Sequence, residues 1–485
     1  MAESGAVFDN SSTSASPSNR FYRTVWRWHF YAGMLITPIM IILAITGIIY
    51  LFKPQLDRVM YHDLLVVQPT ATTLAYSEQI QSVERAYPDA TVTEVTPYSS
   101  PDRSTEVLLK TAEARSVMVF VNPHTGEVLG SRDEENNLQA IARKIHGDLL
   151  IGKSGDYLVE LAACWGLVLL LSGVYLWMPR RQFSALGTFV PRLWSQNKRI
   201  FWRDLHAVPG LYATLLIGFL ILTGLPWTGF WGDTFAQIWG TFPAQMWDDV
   251  PQSTVLTGSL NNHQRQVVPW AVEQVPIPHS TVAALVSGDS NLLNRTDSAV
   301  YSENTLASTP ATIDSVIALA RANNAPSSFN VVLPQDETGV YTVSAFPPDP
   351  TQEVTMHIDR YSGKVLADVR WSDYGFVPKA VELGISIHMG KFFGLANQLL
   401  MLFASSVLIL LSVTGVVMWW QRRPKKSVAI GAPPMPKHVQ SWRVPVAIIA
   451  VLGLIFPLVG LSLVVVLLLD YLVLSRIPAL RHIFN

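Results

Sequence analysis

The chain has 485 residues, of which 49% are hydrophobic and 15% are charged. This charge content is low for a soluble protein and, together with 15 tryptophans, is typical of a polytopic membrane protein with substantial extramembrane parts. The net charge of −1 gives no indication of nucleic-acid binding, and the single cysteine, Cys164, excludes an intrachain disulfide and a cysteine metal cluster.

Four apolar segments are long enough to cross a bilayer as helices, and they occupy residues 23–52, 157–178, 206–227 and 394–420. Arginine and lysine are concentrated before the first segment and in the two short connections, residues 179–203 and 421–443. Because such residues mark the cytoplasmic side, we expect a cytoplasmic N-terminus, with a disordered Ser-rich tail over residues 1–19. The first apolar segment lacks the cleavage pattern of a secretory signal. The long connections, residues 53–155 and 229–393, are then expected outside.

Each long connection contains the pattern of a small α+β unit, with a helical stretch followed by short strands around a turn. In the first unit the helix is predicted over residues 76–87 and the strands over residues 106–110, 117–121 and 127–129. In the second unit the helix is predicted over residues 312–322 and the strands over residues 340–345, 355–358 and 364–366. The segment before the second unit, residues 229–304, is rich in Trp, Pro, Asn and Ser and yields no clear structural prediction.

The last apolar stretch, residues 444–474, is interrupted by Pro457 and Gly460. It is too short for two full membrane spans, and a single span would place Arg476 and Arg481 outside, against the charge rule. We therefore expect a short or re-entrant hairpin that returns to the cytoplasmic side. Asp470 within it is expected to face protein or the interface, since a carboxylate in lipid is costly.

Four histidines form two pairs in which the surrounding residues repeat. Gly33 and Thr46 follow His29 at the same spacing at which Gly210 and Thr223 follow His206. In the second pair, the dipeptide Ser172-Gly173 follows His146 as Thr414-Gly415 follows His388, with Trp177 and Trp419 in register. By the predicted topology, His29 and His206 lie at the cytoplasmic ends of their helices, and His146 and His388 lie on the outer side.

The chain resembles the PepSY-associated transmembrane family. The resemblance is carried by the sequence NPHTGEVL at residues 122–129, repeated as DRYSGKVL at residues 359–366, and by the motifs Trp-Arg before the helical histidines and Ser-Gly-x-x-x-Trp in the second helix. It implies an α-helical membrane bundle of four main transmembrane helices plus the C-terminal hydrophobic hairpin, with two periplasmic α+β PepSY-like domains. Members are bacterial inner-membrane proteins, often iron-regulated, and some are haem-carrying ferric-siderophore reductases.

The resemblance also implies haem-ligand roles for His29, His206, His146 and His388. Two bis-His b-type haems would then lie near the two faces of the membrane, because a bis-His site leaves no open position on iron and suits electron transfer. Gly33 and Gly210 would leave room for a flat ring between helices. Arg27 and Arg203 are placed to contact haem propionates, although a simpler interpretation is that they anchor the cytoplasmic side. The other histidines are expected on surfaces or in turns, and they are His62, His124, His263, His279, His357, His438 and His482.

The function implied by the resemblance is electron transfer across the membrane to a periplasmic acceptor, most plausibly a ferric siderophore. The short cytoplasmic connections are too small to fold a nucleotide-binding domain, so the electrons are expected from membrane quinol or a cytoplasmic donor protein. Outer-sphere reduction needs no acid, base or nucleophile, and the sequence shows no catalytic constellation.

Two other functions stay open from the sequence. The PepSY-like units alone suit a periplasmic binding or regulatory protein, for example a regulator of a protease, with the helices as anchors. The repeated intramembrane histidines argue against this alternative, because an anchor has no need of them. Transport is a weaker hypothesis, since paired charges are missing from the middle of the four predicted helices.

Overall fold

The structure is a computed structural model that describes residues 17–180, 184–239, 252–261, 266–280, 310–424, 430–433 and 443–469, together with residues 472, 476 and 477. Its helices are α1 Pro17–Leu51, α2 Lys53–Met60, α3 His62–Leu65, α4 Tyr76–Ala86, α5 Leu138–Asp148, α6 Lys153–Trp177, α7 Lys198–Gly224, α8 Trp231–Trp239, α9 Ile313–Ala322, α10 Phe376–His388, α11 Leu395–Arg422, α12 Arg443–Ile455 and α13 Pro457–Leu469. Most of the 1–19 tail, His263, His438, Asp470, Arg481 and His482 lie outside the described residues.

Four of these helices are long and apolar enough to cross a membrane. They cover Phe21–Leu51, Lys153–Trp177, Lys198–Trp227 and Leu395–Arg422, where the third includes a short 3-10 turn after α7. Each coincides with one of the apolar segments found in the sequence, and α1 and α7 begin earlier than expected because their basic N-terminal turns are also helical.

The chain divides into two compact units. The helical unit comprises Met1–Ile42, Glu160–Ile221 and Ser406–Asn485, and the sheet unit comprises Leu43–Val159 and Leu222–Ser405. Each unit takes segments from both halves of the chain.

The core of the sheet unit is one eight-stranded antiparallel sheet, in the order β10-β9-β8-β7-β1-β2-β3-β4. The strands are β1 Thr91–Thr96, β2 Thr105–Lys110, β3 Ser116–Val121, β4 Val128–Asp133, β7 Asn330–Val332, β8 Tyr341–Ala345, β9 Val354–Ile358 and β10 Val365–Arg370. A separate pair, β5 Gln252–Leu256 and β6 Pro276–Pro278, lies in the segment that gave no sequence prediction.

The two predicted α+β units are joined edge to edge by strands that the sequence did not reveal. Strands β1 and β7 pair through Glu94 with Val332 and Val95 with Val331. The pairing satisfies backbone groups that two separate sheets would leave at exposed edges. Helices α4 and α9 cover one core, in which Val83 and Ile317 are almost fully buried.

The sequence predicted surface or turn positions for the histidines outside the two pairs, and two of them can be compared with that prediction. His124 fits it, because it lies in the turn before β4 and both ring nitrogens face backbone carbonyls, those of Thr72 and Pro101. His357 contradicts it: the residue is only 1% exposed in β9, where Nδ1 is hydrogen-bonded to Thr342. Its strand is buried on both faces, so the two-residue alternation that would place a polar side chain outward does not apply.

The C-terminal apolar stretch contains two helices of 13 residues each, α12 and α13, separated at Phe456 before Pro457. Gly453 and Gly460 approach closely, since a Cβ built on Gly460 would lie 2.7 Å from the Cα of Gly453. The helices therefore fold back on each other at a contact that only glycine permits. Each is about 20 Å long, shorter than the hydrocarbon core of a bilayer.

Candidate functional site

All four histidines singled out in the sequence are held by the same kind of contact. In each case Nδ1 of the imidazole lies within hydrogen-bond distance of a hydroxyl on a different helix. In the helical unit the contacts join His29 to Ser172 at 2.8 Å and His206 to Thr414 at 2.9 Å. In the sheet unit they join His146 to Thr46 at 3.1 Å and His388 to Thr223 at 2.9 Å.

The hydroxyls fix the proton position on the ring. Ser172 Oγ lies 2.7 Å from the carbonyl oxygen of Val168, and Thr414 Oγ1 lies 2.7 Å from that of Leu410. A carbonyl can only accept, so the single hydroxyl hydrogen is donated to it and the imidazole must donate from Nδ1. The neutral tautomer assigned in this way carries its lone pair on Nε2, the arrangement of a histidine metal ligand whose other nitrogen is hydrogen-bonded.

Thr46 holds His146 in the same way. Its hydroxyl oxygen is 3.2 Å from the carbonyl oxygen of Leu43, one helical turn earlier. Burial lowers the pKa of His146 and so favours the neutral ring. His146 lies in the last turn of α5, and His388 is the last residue of α10.

A glycine follows each anchoring hydroxyl and makes room for the imidazole. A Cβ built on Gly173 would lie 3.4 Å from Cε1 of His29, and one built on Gly47 would lie 3.3 Å from Cε1 of His146. The corresponding distances from Gly415 to His206 and from Gly224 to His388 are both 3.7 Å. The two residues of the Ser/Thr-Gly dipeptide thus have separate roles: the hydroxyl orients the imidazole ring, and the glycine lets the edge of the ring approach the helix.

His29 and His206 come together as the sequence predicted. Their ring centroids are 6.5 Å apart and the ring planes are inclined at 85°. A first-row metal lies roughly 2 Å from an imidazole nitrogen, which is itself about 1.1 Å from its ring centroid, so two imidazoles on opposite sides of one metal place their centroids roughly 6 Å apart. At the observed separation, His29 and His206 would be able to hold a single iron together.

The donor set favours haem over a free metal ion. Within the described part of the chain, no group of three or more His, Cys, Asp or Glu side chains is placed to hold a metal. Two imidazoles are too few for a metal ion without other ligands. They are the complete axial set for haem iron, because the macrocycle supplies the remaining ligands.

The approach of His146 to His388 stays a prediction. The structure anchors both rings in the sheet unit by equivalent contacts, which is what two ligands of a second haem require.

Gly33 and Gly210 were predicted to leave room for a flat ring between helices, and the space beside them differs. A Cβ built on Gly33 would meet nothing within 4 Å, whereas one built on Gly210 would lie 3.1 Å from the side chain of Leu411.

The two arginines predicted near the first pair have protein partners. Arg203 is ion-paired with the buried Asp204 at 2.6 Å. Arg27 donates to the carbonyl of Pro433 at 2.8 Å, and its guanidinium carbon lies 5.1 Å from the ring centroid of Tyr31. A propionate contact for either arginine therefore stays a prediction, and the observed contacts equally suit an anchor at the membrane surface.

Sequence reasoning found the four histidines and missed what holds them. The signal was present, because Thr46-Gly47, Ser172-Gly173, Thr223-Gly224 and Thr414-Gly415 recur in register with the histidines. A second repeated anchor also appears: the indole N–H of Trp177 donates to the carbonyl of Thr188, and that of Trp419 to the carbonyl of Ile430, at 2.9 and 2.8 Å. Each tryptophan therefore hydrogen-bonds the segment that follows its own helix.

The family model for the PepSY-associated TM region matches residues 26–422, most of the chain and all four histidines. The chain belongs to this family. It is accordingly a membrane protein with PepSY domains, and its apolar helices agree with that assignment. A comparison with curated proteins gave no match.

Proposed function

We propose that this PepSY-associated protein carries two b-type haems, each with two histidine ligands, and passes electrons across a bacterial inner membrane. The observation that carries the proposal is the 6.5 Å separation of the His29 and His206 rings, both held in the tautomer that presents Nε2 to a metal. His146 and His388 are the ligands proposed for the second haem, on the strength of their equivalent anchors.

Haem bound in this way supplies reversible one-electron chemistry without an open coordination position. The protein residues contribute orientation. The hydroxyls of Ser172 and Thr414 hold the two imidazoles by hydrogen bonds, which would limit the movement of the rings when the charge on a bound iron changes.

The direction of transfer and the partners are part of the proposal, and the family resemblance and the predicted topology support them. Electrons would enter on the cytoplasmic side from membrane quinol or a donor protein, with the N-terminus on that side. They would leave on the periplasmic side to an acceptor, for which a ferric siderophore is the best candidate, in the service of iron uptake. An outer-sphere electron transfer to ferric iron needs no catalytic side chain on this chain.

The test is the haem content of the detergent-purified protein and its His206→Ala variant, measured from oxidised and reduced absorption spectra. The wild type should show a low-spin b-type spectrum with about two haems per chain, and His206→Ala should lose one of them. His62→Ala is the matched control, because the His62 side chain is exposed and its Nδ1 contacts the exposed Asp63. A haem-free wild type from haem-replete cells, with a monodisperse elution profile, would overturn the proposal and favour a binding or regulatory role for the PepSY domains.

A further inference from the structure

A buried acidic pair lies in the sheet unit, on the element that carries His388. Glu382 is fully buried in α10, six residues before His388, and Glu353 is 1% exposed just before β9. The two carboxyl groups interact with each other and with Tyr374. The electron-transfer role proposed above makes no use of this cluster.

The pair is not satisfied by hydrogen bonds. Glu382 Oε1 accepts from the backbone N–H of Ala271 at 2.9 Å, whereas Oε2 has no partner of good geometry. Both carboxyl oxygens of Glu353 also have none. Two ionised carboxylates in such a place would be costly. A proton shared between them removes one charge and supplies a hydrogen bond that joins one oxygen of each carboxyl group.

Burial raises the pKa of both Glu353 and Glu382, and a neighbouring negative charge raises each further, that of Glu382 for Glu353 and that of Glu273 for Glu382. The pair therefore holds at least one proton at neutral pH and titrates as a unit. Other ionisable groups also face the cluster, namely Glu273 from the segment before β6, Asp373 beside Tyr374, Lys391 after α10, and Lys53 beside Lys391. Lys391 partly compensates the negative charge, and its ammonium nitrogen lies 4.4 Å from the ring centroid of Phe346.

A cleft leads to the pair. It has a volume of about 400 Å³ and is lined by Glu353 together with Asn324, Thr351, Gln352, Arg370 and Trp371. Glu353 thus borders the cleft on one side and contacts Glu382 on the other. Since Glu382 and His388 share one helix and are six residues apart, their backbones lie about 9 Å apart along its axis. At that distance inside a protein, the charge of one site shifts the equilibrium of the other.

We propose that Glu353 and Glu382 form a proton-accepting site that receives its proton through the cleft, and that this proton is taken up when an electron reaches the iron that His146 and His388 would hold. The inference rests on the proposed function. The electron comes from the quinol or protein donor, and the proton comes from solvent through Glu353. When the electron leaves to the acceptor, the proton returns to solvent, so charge and protons balance over one cycle.

The experiment is a spectroelectrochemical titration of the haem-loaded full chain at a series of pH values. If one proton is taken up with each electron, the midpoint potential falls by about 59 mV for each increase of one pH unit. We expect a slope approaching this value for one of the two haems, and the His388→Ala variant should lose that haem. Glu353→Gln and Glu382→Gln should keep both haems and flatten the slope.

Glu94→Gln is the matched control, because Glu94 is a buried carboxyl of β1 outside the cluster. It should leave the slope unchanged. Infrared difference spectra between the reduced and oxidised protein give a second readout: a carboxylic acid C=O band should appear in the wild type and disappear in Glu353→Gln.

The outcomes separate the two proposals. Two bound haems with potentials independent of pH, or a slope that survives both glutamine variants, would overturn the proton site while leaving the haem assignment intact. Failure of the wild type to bind haem would instead overturn the proposed function and this inference with it.

Discussion

At the scale of the residue, the hydroxyls of Ser172 and Thr414 decide which ring nitrogen of the histidine they hold would be offered to a ligand. A histidine at a helix end can hydrogen-bond through either nitrogen, and only the tautomer with Nδ1–H leaves Nε2 as the donor to iron. Ser172 and Thr414 impose that tautomer because their own hydrogens are already donated to carbonyls of the preceding turn.

This argument predicts the effect of removing one hydroxyl without changing the side-chain shape. In Thr414→Val the branched shape is kept but the hydrogen bond to His206 is lost. Loss of a hydrogen bond that orients a metal ligand typically weakens metal binding by about 10- to 100-fold, so we expect haem to dissociate faster and the occupancy after purification to fall. The measurement is the rate of haem transfer to an excess of a haem-scavenging protein.

Thr414→Ser is the matched control because it retains the hydroxyl, as the equivalent position Ser172 does in the first half of the chain. It should behave as the wild type. Equal transfer rates for the valine and serine variants would show that Thr414 contributes packing alone and that the tautomer argument fails.

At the scale of the element, the sequence predicted the long helices well and the sheet incompletely. An apolar run of about 20 residues has few alternatives to a membrane helix. Strands β1 and β7 were missed for a different reason. Thr91–Thr96 reads as a mixture of threonine, valine and glutamate, and Asn330–Val332 has only three residues. Each pairs with the next strand of its own half, and the additional pairing between β1 and β7 spans more than 200 positions of sequence, which no local pattern shows.

The same limit applies to the site. The four histidines were found because their spacing repeats within the sequence. The hydroxyls that hold them lie on other helices, and a local pattern does not show which hydroxyl meets which ring. The buried pair Glu353 and Glu382 was missed entirely, since each glutamate stands alone in its own segment.

One carboxylate adds to the junction that strands β1 and β7 form between the two α+β halves. Asp314, in the first turn of α9, accepts hydrogen bonds from the backbone N–H groups of Tyr76 and Ser77 at 2.6 and 3.2 Å. It therefore caps α4, the helix of the other half, and its charge suits the positive end of that helix. Arg321 at the far end of α9 donates to the hydroxyl of Tyr76 at 2.7 Å.

We expect Asp314→Ala to destabilise the sheet unit by about 1 kcal/mol, the usual cost of losing a helix cap. The measurement is the midpoint of thermal unfolding of the full chain in detergent. Asp349→Ala is the control, because Asp349 caps only a short 3-10 turn within its own half. If both variants lower the midpoint equally, the contact between the halves contributes nothing of its own.

At the scale of the whole molecule, the two halves of the chain repeat one plan and complete each other. Each half contributes a long helix with a histidine, a second long helix with an anchoring hydroxyl, and four strands. The single sheet is completed by β1 from one half and β7 from the other. The first histidine pair likewise takes His29 from one half and His206 from the other.

This plan predicts how the two proposed haems would be shared between the halves of the chain. If each haem joins the halves, His29→Ala and His206→Ala each remove the same haem, and the double variant His29→Ala/His206→Ala keeps one haem per chain. The double variant His29→Ala/His146→Ala removes a ligand from each haem and should keep none. If instead each half held its own haem, the first double variant would lose both haems and the second would keep one. Haem per chain, measured by absorbance against total protein, separates the two arrangements, and the 6.5 Å distance between His29 and His206 makes the shared arrangement the expected one.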